Sequence, residues 1–200
     1  MLASASTSLT ALERPRRRLP SAEDRLTRAE VDDVVSTRDV LLVLARATLV
    51  TRMFEVIEKT LVALGGEAQL ITIQATDLME GVDELAENVF ADYRKRKGKK
   101  SVFARLSAIP TDELHDLTAL AATLGFPEIE EGMEPRGIRA LARVPRLPDA
   151  VRQSLVSHFR GFQRMLHASV ADLEKVEGVG RARAHQLRRF FDRMIDLGEA

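Results

Sequence analysis

The stretch Leu-Glu-Lys-Val-Glu-Gly-Val-Gly-Arg-Ala-Arg-Ala-His-Gln-Leu, residues 173–187, decides how the C-terminal third of the chain folds. Leu173 and Val176 are spaced as on one face of a short helix. The Gly178-Val179-Gly180 segment then predicts a tight turn, because glycine adopts backbone conformations that other residues avoid. Small and apolar residues up to Leu187 predict a second helix. The stretch therefore predicts a helical hairpin.

This hairpin resembles a helix-hairpin-helix, a motif whose glycine turn holds the backbone of nucleic acids. Backbone amides in the turn and at the start of the following helix form a cradle for a phosphate. An ordinary connection between two helices would account for a single such turn equally well. On the nucleic-acid interpretation, the amides of the turn bind phosphate and nearby cations add charge: Gly178, Val179, Gly180, with Arg181, Arg183 and Lys175.

An internal repeat favours the nucleic-acid interpretation. A shift of 32 positions places Leu141 on Leu173 and Val144 on Val176, and apolar residues continue to coincide up to the second helix. The first copy has Val-Pro-Arg-Leu-Pro at 144–148 in place of the glycine turn. Proline has no amide hydrogen to donate. We therefore expect this hairpin to bind phosphate less well, with charge from Arg143 and Arg146. Two hairpins that merely share a core remain the plainer alternative.

The charge distribution argues against that plainer alternative. The chain has 30 basic and 30 acidic residues, so its formal net charge is zero. Residues 136–200 nevertheless carry 13 Arg and Lys against 7 Asp and Glu, an excess of six positive charges. A basic unit on an otherwise acidic protein is typical of phosphate-backbone binding. Since few aromatic residues are available for base stacking, we expect DNA binding that is largely independent of sequence.

Composition excludes several classes of protein. The chain contains no cysteine, which excludes disulfides and thiolate metal sites and fits a reducing cytoplasm. It lacks an apolar run of the roughly 20 residues that span a bilayer. Neither a glycine-rich nucleotide loop nor a metal-spaced cluster is present, and the four histidines are scattered. We predict a cytoplasmic, nucleoid-associated protein that is not an enzyme and that has no cofactor, metal or small-molecule substrate.

The pattern along the chain predicts an all-α protein in three parts. Residues 1–24 are expected to be poorly ordered, with Pro15 breaking any helix. Residues 25–132 are expected to form a helical linker bundle with a basic hinge at 94–100. Residues 133–200 are predicted to form a tandem helix-hairpin-helix domain.

Thr27 and Glu30 are predicted to form a capping box, and Gly65-Gly66 is predicted to end a helix. The apolar residues of 70–73 are predicted to form a brief extended segment. Ser169 is predicted to cap the first helix of the second hairpin.

The chain resembles the bacterial DNA integrity scanning (DisA) family without its N-terminal catalytic domain. The likeness rests on 26–40, 91–93, 135–137 with 144–148, and 168–180. The resemblance implies a linker bundle followed by paired hairpins that bind branched DNA. Family members also join two ATP into cyclic di-AMP, but the Asp-Gly-Ala and Arg-His-Arg segments of that activity have no counterpart here. The first 24 residues are expected to be a remnant of the catalytic domain's last helix.

Two other functions stay open on the sequence. The acidic part, residues 26–93, is a candidate docking surface for a protein partner, with DNA contact secondary. Alternatively, the reading frame is truncated and the complete protein is a diadenylate cyclase. We expect DNA, bound through its phosphates and preferentially at junctions, to be the main partner, and we expect no membrane association.

Overall fold

The computed structural model describes residues 2–94 and 100–198, which contain helices and no strand. This confirms the all-α prediction. The predicted basic hinge lies almost entirely outside the described residues. The helices are α1 (Leu2–Val31), α2 (Thr37–Leu64), α3 (Gln69–Met79), α4 (Val82–Tyr93), α5 (Val102–Leu106), α6 (Leu117–Leu124), α7 (Ile138–Ala142), α8 (Asp149–Phe159), α9 (Phe162–Leu166), α10 (Val170–Glu174) and α11 (Arg181–Gly198).

The first helix corrects the prediction that residues 1–24 are poorly ordered. It runs without interruption past Pro15 and Pro20 and packs along α2. Its buried face includes apolar residues at seven-residue intervals, at Ala5, Leu12, Leu19 and Leu26. Each internal proline costs roughly 3 kcal/mol. Burying a leucine contributes about 1.5–3 kcal/mol, so the apolar stripe offsets both prolines.

The predicted capping box at Thr27 is also wrong, because α1 starts far upstream and Thr27 lies in its interior. The Thr27 hydroxyl instead donates to the Glu23 carbonyl at 2.9 Å. The capping box of the bundle is at the start of α2, where Ser36 and Asp39 exchange hydrogen bonds between side chain and backbone. A Thr-x-x-Glu pattern indicates a helix start only where the chain before it is not helical.

The predicted extended segment at 70–73 is helical, as part of α3. Its apolar and β-branched residues favour a strand over a few positions, but α3 packs against both α1 and α2. Ala75 on its inner face is fully buried. The end of α2 was predicted correctly, since Gly65 follows Leu64 with a positive φ of 59°.

Two separate clusters of buried apolar side chains divide the chain. The first cluster extends from Ala5 to Leu124 and is formed by α1–α6. The second extends from Ala140 to Met194 and is formed by α7–α11. The bundle and the hairpin region therefore each have a core of their own, and the ends of the two clusters enclose the predicted boundary at residue 133.

A buried polar cluster joins the bundle to the first helix of the hairpin region. The Arg139 side chain, 2% exposed, forms an ion pair with buried Glu30 of α1. Its guanidinium also donates to the Thr27 hydroxyl at 3.0 Å and lies 3.4 Å from a Glu23 oxygen. Tyr93 donates its hydroxyl to Glu30 at 2.6 Å. We call Arg139, Glu30, Tyr93 and Asp92 the interdomain cluster.

Asp92 of α4 caps α7 from the bundle. Its two carboxylate oxygens accept the amide hydrogens of Ile138, at 2.6 Å, and Arg139, at 2.7 Å. Burial, followed by the negative charge of Glu30, raises the pKa of Asp92 to about 7. The cap thus holds the first hairpin on the bundle in a manner that is sensitive to protonation.

Candidate nucleic-acid interface

The second hairpin consists of α10, a turn at 175–180 and α11. Ser169 and Asp172 form a capping box at the start of α10, as the sequence predicted for Ser169. Lys175 forms an ion pair with Asp172 at 2.7 Å. The hydrogen bonds from Lys175 and Ser169 lower the pKa of Asp172 to about 2. Lys175, one of the predicted phosphate-binding cations, is therefore already paired with a carboxylate.

Gly178 is a packing residue as well as a turn residue. Its φ is +81°, in the left-handed region that favours glycine. A Cβ atom at Gly178 would come within 2.9 Å of Cγ2 of Val151, on α8 of the first hairpin. A side chain here would therefore meet two obstacles, backbone strain and a clash with the other hairpin.

Gly180 has the opposite surroundings. It is exposed, its φ lies outside the left-handed region, and a Cβ atom there would meet nothing within 4 Å. The fold would accept another residue at this position, but the space beside the backbone is open in this chain. An open backbone at the start of a long helix gives an anion close access to the amides.

Of the six amides from Gly178 to Arg183, five donate no hydrogen bond within the part of the chain that the structure describes. The Val179 amide is different, since it donates to the Val176 carbonyl at 3.0 Å, and the Val179 side chain is buried. We therefore leave Val179 out of the candidate cradle. The five amides belong to Gly178, Gly180, Arg181, Ala182 and Arg183.

The two arginines of the second turn have different surroundings. The Arg181 side chain is exposed and has no partner among the described residues. Arg183 donates to the Gly178 carbonyl and so ties the turn to the first turn of α11. This hydrogen bond from Arg183 to the Gly178 carbonyl holds the turn in one shape. The Arg181 side chain is available to an approaching anion.

The first hairpin, formed by α7, a turn at 143–148 and α8, repeats the backbone of the second. Arg146 has a φ of +57° at the position that corresponds to Gly178. Its side chain is exposed and has no partner among the described residues. Arg143 instead faces the bundle, and its Nη1 atom lies 4.0 Å from Oε1 of Glu23. Of the two cations predicted for this hairpin, Arg146 is the one available at the turn.

A charge reversal, which the sequence reasoning missed, distinguishes the starts of the two second helices. Asp149 occupies the position that corresponds to Arg181 and is paired with Arg152 one turn further on. The Asp149 side chain is 79% exposed. The repeat itself contains the signal, because the 32-residue shift aligns an acidic residue with a basic one. A carboxylate at this point repels phosphate.

The two turns lie side by side, each against the second helix of the other hairpin. Gly178 contacts Val151 of α8, and Gln186 of α11 donates to the Pro145 carbonyl at 2.9 Å. This reciprocal contact brings Arg146 to the same end of the hairpin pair as Gly180 and Arg181. The surface formed by Gly178, Gly180, Arg181 and Arg146 is called the turn surface below.

Over residues 2–94 and 100–198, no cluster of three or more His, Asp or Glu side chains is arranged to hold a metal ion. Across the same residues, no helix has both the length and the apolar character needed to cross a membrane.

Comparison with known proteins gives consistent matches. A family model described as the DisA bacterial checkpoint controller linker region matches residues 1–133. The match starts at residue 1, so it includes the first 24 residues in the linker region. Two similar relatives are the DNA integrity scanning proteins DisA of Streptomyces griseus, 36% identical over 206 residues, and of Frankia alni, 37% identical over 204 residues.

Both alignments cover 98% of this chain. They cover 55% of the Streptomyces griseus protein and 57% of the Frankia alni protein. The chain thus spans about half the length of the curated relatives that it matches. The region of similarity includes the bundle, both hairpins and the turn surface.

Proposed function

The chain belongs to the DisA family, and we propose that its hairpin pair binds the phosphate backbone of DNA. One observation carries the proposal: five amides without hydrogen-bond partners lie at the turn surface and the start of an 18-residue helix, beside open space at Gly180. The start of a helix carries partial positive charge and attracts anions. Relatives named DNA integrity scanning proteins support DNA as the source of those anions.

In this proposal the residues of the turn surface have separate tasks. A phosphate occupies the open space at Gly180 and accepts hydrogen bonds from the free amides. Arg181 and Arg146 supply positive charge, and Arg183 keeps the turn in shape through the Gly178 carbonyl. Because these contacts reach phosphates rather than base edges, binding is largely independent of sequence.

We further propose that the protein prefers branched DNA and takes part in DNA integrity or repair without catalysing a reaction itself. Two adjacent turns, each at the start of a helix, can contact the two strands of one duplex or two arms of a junction. The catalytic segments of the family are absent from this chain, as the sequence indicates.

The test is fluorescence-anisotropy binding of a four-way junction, a linear duplex and a single strand across a salt series. Gly180→Val fills the open space with a side chain that the fold accepts, so thermal unfolding is expected to stay unchanged. We expect at least about a tenfold loss of affinity for every sequence alike, equivalent to about 1.4 kcal/mol.

Gly66→Val is the matched control, because a Cβ atom at exposed Gly66 also meets nothing within 4 Å and Gly66 lies in the bundle. This control is expected to bind DNA like the wild type. Wild-type affinity in the Gly180→Val protein would refute the proposal.

A second candidate function is docking of a protein partner on the bundle. One observation favours it: near the connection from α2 to α3, four apolar side chains are between 52% and 77% exposed, namely Val56, Val62, Leu70 and Ile73. Exposed apolar surface of this kind is typical of protein contacts. The relatives carry nearly half of their length outside the matched region, and that part is the partner we propose.

A purified N-terminal part of a DisA relative provides the test for this candidate. The double substitution Val62→Asp with Leu70→Asp in this chain is expected to abolish calorimetric binding of that N-terminal part. The DNA affinity of the chain is expected to stay unchanged. Absence of binding to the unmodified chain would exclude this partner.

A further inference from the structure

A cleft outside the turn surface lies between the end of α4 and the outer face of α8. Its volume is about 500 Å³. Three arginines from three separate segments meet in it: Arg94 after α4, Arg136 before α7, and Arg152 on α8. The remaining lining residues are Ala91, Ile138, Asp149, Gln153, Val156 and Ser157.

Two of the arginines in this cleft, Arg136 and Arg152, have side-chain nitrogens without a hydrogen-bond partner among the described residues. Asp149 is the one carboxylate among the lining residues, and it is paired with Arg152. Arg136 donates one Nη1 hydrogen bond to the Ala91 carbonyl at 3.2 Å. Within the described residues, Nε and Nη2 of Arg136 and Nε and Nη1 of Arg152 have no hydrogen-bond partner. Like charges held together in a protein are costly unless an anion offsets them.

The carboxylates of the neighbouring cavity form no ion pair with Arg136 or Arg152 among the described residues. Asp92 and Glu134 line an adjacent cavity that shares Arg94 and Arg136 with the cleft. Both oxygens of Asp92 are occupied by the amides of α7. Among the described residues, Glu134 makes no ion pair, and Asp149 is paired with Arg152.

We propose that this cleft, which we call the arginine cleft, is a second phosphate-binding site. Guanidinium groups bind phosphate oxygens in pairs of parallel hydrogen bonds, which suits Arg136 and Arg152. Gln153 and Ser157, both exposed on α8, add neutral hydrogen-bonding groups along the same face. The ligand is a phosphate group, carried either by DNA or by a free phosphorylated molecule.

The position of the arginine cleft favours DNA as the source. It begins at Asp149, directly after the first turn, and continues along α8 toward Ser157. DNA on the turn surface that continued past the first turn would pass along this face. This choice of ligand rests on the proposed function, whereas the site itself rests on the arginines.

Two substitutions in the cleft have opposite expected effects. Arg152→Gln removes a phosphate contact and is expected to lower affinity for a linear duplex about three- to tenfold. The slope of log affinity against log salt concentration is expected to become shallower by about 0.9. Asp149→Asn removes the acidic residue and is expected to raise affinity. Arg28→Gln, which removes an exposed arginine of α1, is the matched control and is expected to change neither value.

Calorimetry with inorganic pyrophosphate distinguishes the two sources. If Arg152→Gln weakens pyrophosphate binding but not duplex binding, the cleft is a site for a free phosphorylated molecule. If Arg152→Gln weakens duplex binding while Gly180→Val does not, the arginine cleft is supported and the proposed role of the turn surface is refuted. If Arg152→Gln binds both probes like the wild type, or if the wild type binds neither, the arginine cleft is refuted.

Discussion

The two hairpins have the same backbone but different surroundings. Both contain a residue of positive φ in the turn, Arg146 in the first and Gly178 in the second. The first helix of the first hairpin is capped by Asp92 of the bundle, whereas that of the second is capped by its own Ser169. Arg139 is buried in the interdomain cluster, and Ala171 at the corresponding position is exposed.

This difference shows that the two copies of the repeat have different roles. The first hairpin uses its side chains and amides to hold the bundle, and its turn has lost two amides to proline. The second hairpin makes its own cap and keeps an open glycine, an arginine at the start of α11 and free amides. We infer that the first hairpin fixes the second in place and that the second binds most of the phosphate.

The largest expected effect comes from breaking the attachment of the first hairpin. Arg139→Met leaves Glu30 buried without its cation, and we expect the free energy of unfolding to fall by about 3–5 kcal/mol. Chemical denaturation measures it. Ala171→Met, at the corresponding exposed position, is the control and should change stability by less than about 0.5 kcal/mol.

Arg139→Met with Glu30→Gln is expected to recover part of the loss, because no uncompensated charge is left buried. Equal effects of the substitutions at 139 and 171 would show that the two hairpins are not anchored differently.

A smaller loss is expected from Gly178→Ala. Positive φ costs an alanine about 1–2 kcal/mol, and the overlap with Val151 adds about 1–3 kcal/mol. Thermal unfolding measures the change, with Gly180→Ala as a control that should be nearly neutral. Val151→Ala in the same chain should restore the part due to overlap, and unchanged unfolding of Gly178→Ala would contradict the packing of the turns.

The cap provided by Asp92 predicts a pH dependence that the cap of the second hairpin does not share. The pKa of Asp92 is about 7 in the folded protein, above its ordinary value of 3.8. The folded state therefore keeps a proton that the unfolded state loses. Stability contributed by Asp92 is full below about pH 4 and is lost as the pH rises to about 7.

Relative to Asp92→Asn, the wild type should lose up to about 1.4 kcal/mol of unfolding free energy per pH unit in this interval. Denaturation from pH 4 to 8 measures the difference. A constant difference between the two proteins would show that Asp92 does not titrate in this range.

The smallest effect concerns the charge reversal between the hairpins. Asp149→Arg gives α8 the residue that α11 has at Arg181, and we expect duplex affinity to rise roughly threefold, with a steeper salt dependence. Asp24→Arg, at an exposed position of α1, makes the same change of charge elsewhere. An equal gain from both variants would indicate a general effect of net charge rather than a contact at the first hairpin.

The sequence predicted those parts of the fold that have local signals. The 32-residue repeat, the cap at Ser169 and the helix end at Gly65 each lie within a few residues of the structure they predict. The sequence did not predict α1 over Leu2–Val31, because a proline such as Pro15 is expected to break a helix. The seven-residue spacing from Leu12 to Leu26 was the available signal.

The interdomain cluster had no local signal. Arg139 and Glu30 are 109 residues apart. In the sequence, Arg139 is one of several cations in a basic region. The structure shows that its charge is paired with buried Glu30 inside the protein. The same holds for Lys175 and Arg143, whose carboxylate partners make them less available to DNA than the net charge suggests.

Titration of ¹⁵N-labelled protein with a short duplex, followed by amide NMR spectra, tests phosphate binding at the second turn. We predict the largest shifts or line broadening at the amides of Gly178, Gly180 and Arg181, with smaller changes in the first turn and almost none in the bundle. Largest changes in the bundle, with the amides of the second turn unaffected, would contradict phosphate binding at the second turn.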